Sequence, residues 1–167
     1  MRKTAPNNAG FTLIELLVVI AIIGLLAGGV LLALNRARLN AKITKARADL
    51  HQLRIAIDLL AADTGKWPNG CPQETTANPE VMLDQPAAGL NTIPTAGIIE
   101  LPCEWTVEEV AVWKGPYVQL NPILDPWGTS YWFDADYQAI ADDAIVLVSY
   151  GPDQTNYTSD DIIERIR

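Results

Sequence analysis

Residues 10–34 read G-FTLIELLVVIAIIGLLAGGVLLAL, apolar almost throughout and without a charge from Leu16 to Leu34. A helix rises about 1.5 Å per residue, so roughly twenty such residues cross the hydrocarbon core of a bilayer. A core helix of that length has too little protein to hide in when the whole chain is 167 residues. A cleaved secretory signal fits poorly as well, because the run is too long and lacks a small-x-small exit at its far end. The stretch therefore predicts a membrane-spanning helix, with at most one modest domain beside it.

Glu15 is the residue that a plain anchor does not explain. A carboxylate within a membrane helix costs several kcal/mol on insertion scales and calls for a partner. Gly10-Phe11 is a small-to-large junction directly before the apolar run. Cleavage there would create an amine on Phe11, four residues from Glu15, and in an array of helices that amine could face Glu15 of a neighbouring chain. The alternative is a Glu15 that snorkels to the interface. Gly10-Phe11-Thr12-Leu13-Ile14-Glu15 before an apolar helix resembles the class III signal of type IV prepilins and pseudopilins. The resemblance implies that a membrane peptidase cuts between Gly10 and Phe11 and methylates Phe11, and that Glu15 serves assembly.

Arg2 and Lys3 in the leader predict a cytoplasmic N-terminus, with everything after the span on the far side of the inner membrane. Net charge is -8, and after Lys66 the bases are only Lys114, Arg165 and Arg167. So acidic a domain repels phosphate backbones, which argues against nucleic-acid binding. Gly24 and Gly28 form a G-x-x-x-G spacing, which either permits close helix packing or reflects how common glycine is in membrane helices.

No proline interrupts residues 11–66, and Leu39, Ile43, Ala46, Leu50, Leu53, Ile57 and Leu60 recur at alternating four and three spacing. One helix is therefore expected to continue past the span, with an amphipathic half over residues 35–64. Arg36, Asn40, Arg47 and Arg54 fall on its other faces, and the basic cluster Arg36, Arg38, Lys42, Lys45 and Arg47 is available to anionic headgroups, acidic neighbours or plain solvent. Gly65 and Pro68 end the helix, and Trp67 is expected to cap the core. Residues 69–104 predict a long irregular loop region. Cys71 and Cys103 within it either pair, if this part faces an oxidising space, or remain two thiols. With one histidine, His51, and no Cys/His cluster, a zinc site is not expected. Residues 106–114 fit a helical turn or a strand. Residues 130–134 and 144–150 have strand composition and should pair antiparallel, the second as the central strand. The fold class is α+β: a long N-terminal helix packed on a small antiparallel sheet with long loops. The expected divisions are a leader at 1–10, a span at 11–34, its amphipathic continuation at 35–64 and a globular domain at 65–167.

After Gly151-Pro152 come Asp153, Asp160 and Asp161 in a turn-rich segment. Spacing alone leaves a solvated acidic loop beside a calcium loop, and the EF-hand pattern is absent. Asp125-Pro126-Trp127-Gly128-x-x-Tyr131, Ser149-x-Gly151-Pro152-Asp153 and Asp160-Asp161-Ile162 together resemble the C-terminal half of the type II secretion major pseudopilins. That resemblance implies a Ca²⁺ site with Asp153, Asp160 and Asp161 as ligands. Gln154 stands where the family usually has glycine. It also implies a structural subunit, not an enzyme, that polymerises with copies of itself into a periplasmic filament. The implied partners are the prepilin peptidase/methyltransferase, the inner-membrane platform with its assembly ATPase, minor pseudopilins and membrane lipids. A type IV pilin of an external fibre is the alternative. A hydrolase using Asp142-Asp143 or Asp160-Asp161 is a distant third, since no nucleophile–base set lies nearby.

Overall fold

The computed structural model describes residues 11–75, 79–97, 103–137 and 144–166. Gly10 with the rest of residues 1–10, and the Asp142-Asp143 pair, lie outside the described residues. Helix α1 runs Leu13–Thr64, and the chain divides into two units between Asn40 and Ala41.

In the first unit every side chain from Phe11 to Asn40 is exposed. Among the described residues this is the one helix long and apolar enough to cross a membrane. A helix that is apolar all round and uncovered by its own chain needs lipid or other helices around it. Leu39, expected in the buried stripe, belongs to this unit and is 40% exposed. The four-and-three spacing thus begins before the globular unit that buries it.

In the second unit the stripe is buried from Ala46 onward: Leu50, Leu53, Ile57 and Leu60 have no exposed surface, and Ile43 is half-buried. They share one core with Phe133, Leu147, Tyr131 and Trp105. One charge enters this seam. Asp49 is buried, and its carboxylate accepts hydrogen bonds from Lys45 and, at 3.0 Å, from the Tyr131 hydroxyl. A buried carboxylate persists only with such partners. Burial first, and the Asp49 charge second, push the Tyr131 hydroxyl far above its ordinary pKa.

The helix stops where the sequence predicts. Gly65 takes φ +75° and donates its N–H to the Ala61 carbonyl at 2.9 Å, and Trp67 turns into the core against Phe133, ring centroids 5.8 Å apart. The described residues between 69 and 104 are less irregular than expected. They hold a short strand, β1 (Val81–Met82), and a 3-10 turn at Pro86–Ala88. Cys71 and Cys103 form a disulfide. The Trp105 indole donates to the Ala87 carbonyl at 2.9 Å, and that of Trp113 to Gly89 at 2.7 Å. Residues 106–114 resolve as a helical turn, α2 (Val107–Ala111), whose capping box joins Thr106 and Glu109.

Strands β2 (Trp132–Tyr137), β3 (Ala144–Ser149) and β4 (Ile162–Arg165) complete a four-stranded antiparallel sheet in the order β1-β2-β3-β4. The expected β2–β3 pair is present, with β3 interior. Alternation gives the sheet two buried faces. Phe133 and Leu147 join the helix core, while Val146, Val148, Tyr137 and Ala144 form a second cluster with Tyr150 and Ile163. Trp132 stacks on Tyr150 at 5.7 Å.

Asp134 is buried, with Glu80, Asp136 and the hydroxyls of Tyr137, Tyr150 and Tyr157 as its charged and titratable neighbours. Burial, followed by the Glu80 charge, raises its pKa from 3.8 to about 6, against the Asp136 N–H that donates to it at 3.0 Å. A carboxyl whose folded pKa lies above its unfolded value binds more protons when folded. Its contribution to stability is therefore full below about pH 4 and is lost as pH rises towards 6. Asp134→Asn keeps the acceptor for Asp136 and removes the charge. The wild-type minus variant difference in melting temperature should fall between pH 4 and pH 6 and then level off; a flat difference would refute the assignment.

Candidate functional site

The connection between β3 and β4 carries the expected acidic residues, and its base is built tightly. Ser149 pairs with Ile162 across the two strands. Gly151 follows at φ +66°, packed so closely on Asp160 that a Cβ there would run into the Asp160 carbonyl. The Ser149 hydroxyl donates to Asp125 Oδ2 at 2.7 Å. Asp125 Oδ1 accepts the N–H groups of Trp127 and Thr129, both at 2.9 Å. Buried Asp125 thus organises the D-P-W-G turn and ties it to the end of β3. The D-P-W-G motif marked the turn; the aspartate that opens it is also its organiser, as in an Asx-type turn. Gln154 adopts φ +58°, the conformation that suits a glycine, and its side-chain amide donates to the Trp127 carbonyl at 3.0 Å. Lys42 sits over the Trp127 ring at 5.7 Å, so turn, loop and helix form one connected corner.

The fold brings Asp153, Asp160 and Asp161 around Thr158. The Thr158 hydroxyl lies 3.4 Å from Asp153 Oδ1, 2.8 Å from Asp160 Oδ1, 3.4 Å from Asp161 Oδ1 and 3.1 Å from the Thr155 carbonyl. One hydroxyl proton serves one of these acceptors at a time. The Asp153 N–H donates to Asp160 Oδ2 at 3.1 Å, and the Thr155 N–H to Asp153 Oδ1 at 2.8 Å. The bond from Thr158 is the chief cause that holds the Asp160 carboxyl below its ordinary pKa. Among the described residues no three acids, imidazoles or thiols stand as a preformed metal centre; here the carboxylates surround a hydroxyl. The donor set is all oxygen, three carboxylates plus the Thr155 carbonyl around the Thr158 hydroxyl. That is the chemistry of a hard cation rather than of zinc or copper.

At the other end of the chain, Glu15 is already partnered within its own helix. Its Oε2 accepts the Thr12 N–H at 2.9 Å and the Thr12 hydroxyl at 2.7 Å, while the Glu15 N–H donates to the Thr12 hydroxyl at 3.3 Å. This is the reciprocal capping box of a T-x-x-E sequence. Thr12-x-x-Glu15 announces it, yet reading Glu15 only as a membrane charge overlooked it. Phe11 is 93% exposed. His51 lies at the exposed surface, 3.5 Å from Glu164, which also takes a 3.3 Å contact from Arg54.

Gly151→Ala should destabilise the chain by about 1–3 kcal/mol in chemical denaturation, from left-handed strain plus the collision with Asp160. Gly97→Ala, at φ +79° in open space, carries the strain alone and should lose less. Equal losses would show that the close approach is unimportant.

A family model described as a prokaryotic N-terminal methylation motif matches residues 5–31, and one described as type II secretion system (T2SS), protein G, matches residues 82–165. Similar curated proteins carry the name type II secretion system core protein G. The one from Escherichia coli (strain K12) is 32% identical over 162 residues, covering 97% of this chain and 93% of the relative. That of Pectobacterium carotovorum subsp. carotovorum is 30% identical over 163 residues, covering 96% and 86%. That of Vibrio cholerae serotype O1 is 30% identical over 129 residues, covering 77% and 72%. No solved structure is a significant match. With a methylation motif over the start of its apolar helix and a protein G match over the turn, the sheet and the acidic loop, the chain belongs to the protein G family of type II secretion pseudopilins.

Proposed function

We propose that this chain is a major pseudopilin that is cut between Gly10 and Phe11 by a prepilin peptidase, methylated on Phe11 and polymerised through α1 into a periplasmic filament. The observation that carries this reading is the pairing of the two family matches with an apolar helix none of whose residues from 13 to 40 is buried. Before assembly that surface lies in the inner membrane, N-terminus on the cytoplasmic side and globular unit in the periplasm. In the filament the spans of neighbouring copies cover it. The freed Phe11 amine of one copy then meets Glu15 of another, adding a charged donor to a carboxylate that Thr12 holds at the helix start. Energy for assembly comes from a partner ATPase through the inner-membrane platform, and minor pseudopilins complete the filament.

We further propose that the acidic loop holds Ca²⁺ through Asp153, Asp160 and Asp161, with the Thr155 carbonyl already turned to the same cluster. Bound there, the cation supplies the positive charge that lets three carboxylates share a small volume. The chain's own part is to hold the loop limbs together at Gly151 and to fasten the loop to the D-P-W-G turn through Gln154.

Two experiments test these readings. Detergent-solubilised chain titrated with calcium should gain thermal stability, roughly 2.7 kcal/mol at a hundredfold excess over Kd. Asp153→Asn and Asp160→Asn should each lose that gain. No shift at millimolar calcium would remove the cation from the account and leave family membership untouched. Separately, Glu15→Leu should insert and be processed normally but give a several-fold lower yield of sheared filaments. A wild-type yield would sink the role of Glu15 in assembly.

A further inference from the structure

Of the three loop acids, Asp161 alone is braced from outside the loop among the described residues. Asp153 and Asp160 take their hydrogen bonds from Thr155, Thr158 and the Asp153 N–H, all within the loop. Asp161 Oδ2 accepts the Tyr137 hydroxyl at 2.6 Å and the Thr158 N–H at 3.2 Å. Its other oxygen faces the shared cluster, 3.4 Å from the Thr158 hydroxyl. The two oxygens thus have separate duties, one anchored and one presented.

Tyr137 is suited to the anchoring. It ends β2, its side chain is 1% exposed, and it sits in the second cluster with Ala144, Val146 and Val148. The loop also grips the same ring from above. Tyr157 stacks on Tyr137 at 5.2 Å, and its hydroxyl donates to Glu80 at 3.2 Å.

We propose that Tyr137 is a positioning residue for cation binding: its buried hydroxyl fixes one oxygen of Asp161 so that the other is aimed at the cluster formed with Asp153, Asp160 and Thr158. The proposal rests on the calcium reading above. Partners of this kind, which orient a ligand without touching the ion, change metal affinity by roughly 10–100-fold when removed. Nothing local in the sequence marks Tyr137, which lies 24 residues before Asp161.

The test uses the full chain in detergent, with calcium alone as the probe. Kd is measured by isothermal titration, and the calcium-free melting temperature is measured in parallel. Tyr137→Phe keeps the ring and its stacking and should weaken calcium about tenfold or more. A purely structural role would lower the calcium-free melting temperature and leave Kd within twofold, and that result overturns the proposal. Should Tyr137→Phe fail to fold, Asp161→Glu keeps the charge but moves the carboxylate by a methylene relative to Tyr137; a wild-type Kd there overturns it equally. If the unaltered chain takes no calcium at millimolar concentration, the calcium reading falls and the positioning role falls with it. Calcium binding by the unaltered chain with an unchanged Kd in Tyr137→Phe defeats the positioning role alone.

Discussion

The globular unit hangs on the contact between one helix face and one sheet face. Leu50, Leu53, Ile57 and Leu60 present a continuous apolar stripe, and Phe133 and Leu147 meet it from β2 and β3. Trp67, Trp105 and Tyr131 fill the margins of that contact, and each brings a segment with it. Trp67 turns the chain after the helix, Trp105 holds the disulfide-closed loop to Ala87, and Tyr131 reaches the buried Asp49. At about 25 cal/mol per Å² of apolar surface removed from water, large side chains carry more of this stabilisation than the two-residue strand β1 can.

The long-range periodicities were legible in the sequence and the short devices were not. Alternating four and three spacing over the later half of α1 identified its buried face because helical period is averaged over many residues. The β-branched run at 144–150 likewise stood out as an interior strand. Strands β1 and β4, two and four residues long, give too few alternations to rise above the surrounding loop. They form because β2 and β3 offer edges with free backbone groups. The open choice at residues 106–114 was decided by Thr106 and Glu109, a reciprocal cap that a search for hydrophobic period does not weigh.

The candidate site was legible in its acids and not in its supports. Asp153, Asp160 and Asp161 attract notice by charge. Asp125 and Tyr137 come from elsewhere in the sequence, Thr158 and Gln154 from within the loop, and all four matter through what they hold: a turn, a carboxylate, a knot of oxygens and a carbonyl. Gln154 shows how a non-glycine residue is accommodated at a left-handed position. It accepts a backbone angle that favours glycine, and its side chain gains a hydrogen bond to the neighbouring turn that glycine could not make.

The bridge joins Cys71 and Cys103 across a sequence separation of 32, and the packing at Gly70 brings the two ends together: a Cβ there would lie 2.6 Å from the Cys103 carbonyl oxygen. A thiol pair stays open in a reducing cytosol and closes in an oxidising space. The redox state of these two sulfurs is therefore a chemical record of travel. On the topology proposed above, an intact bridge would mark a molecule whose globular unit has already left the compartment in which it was made.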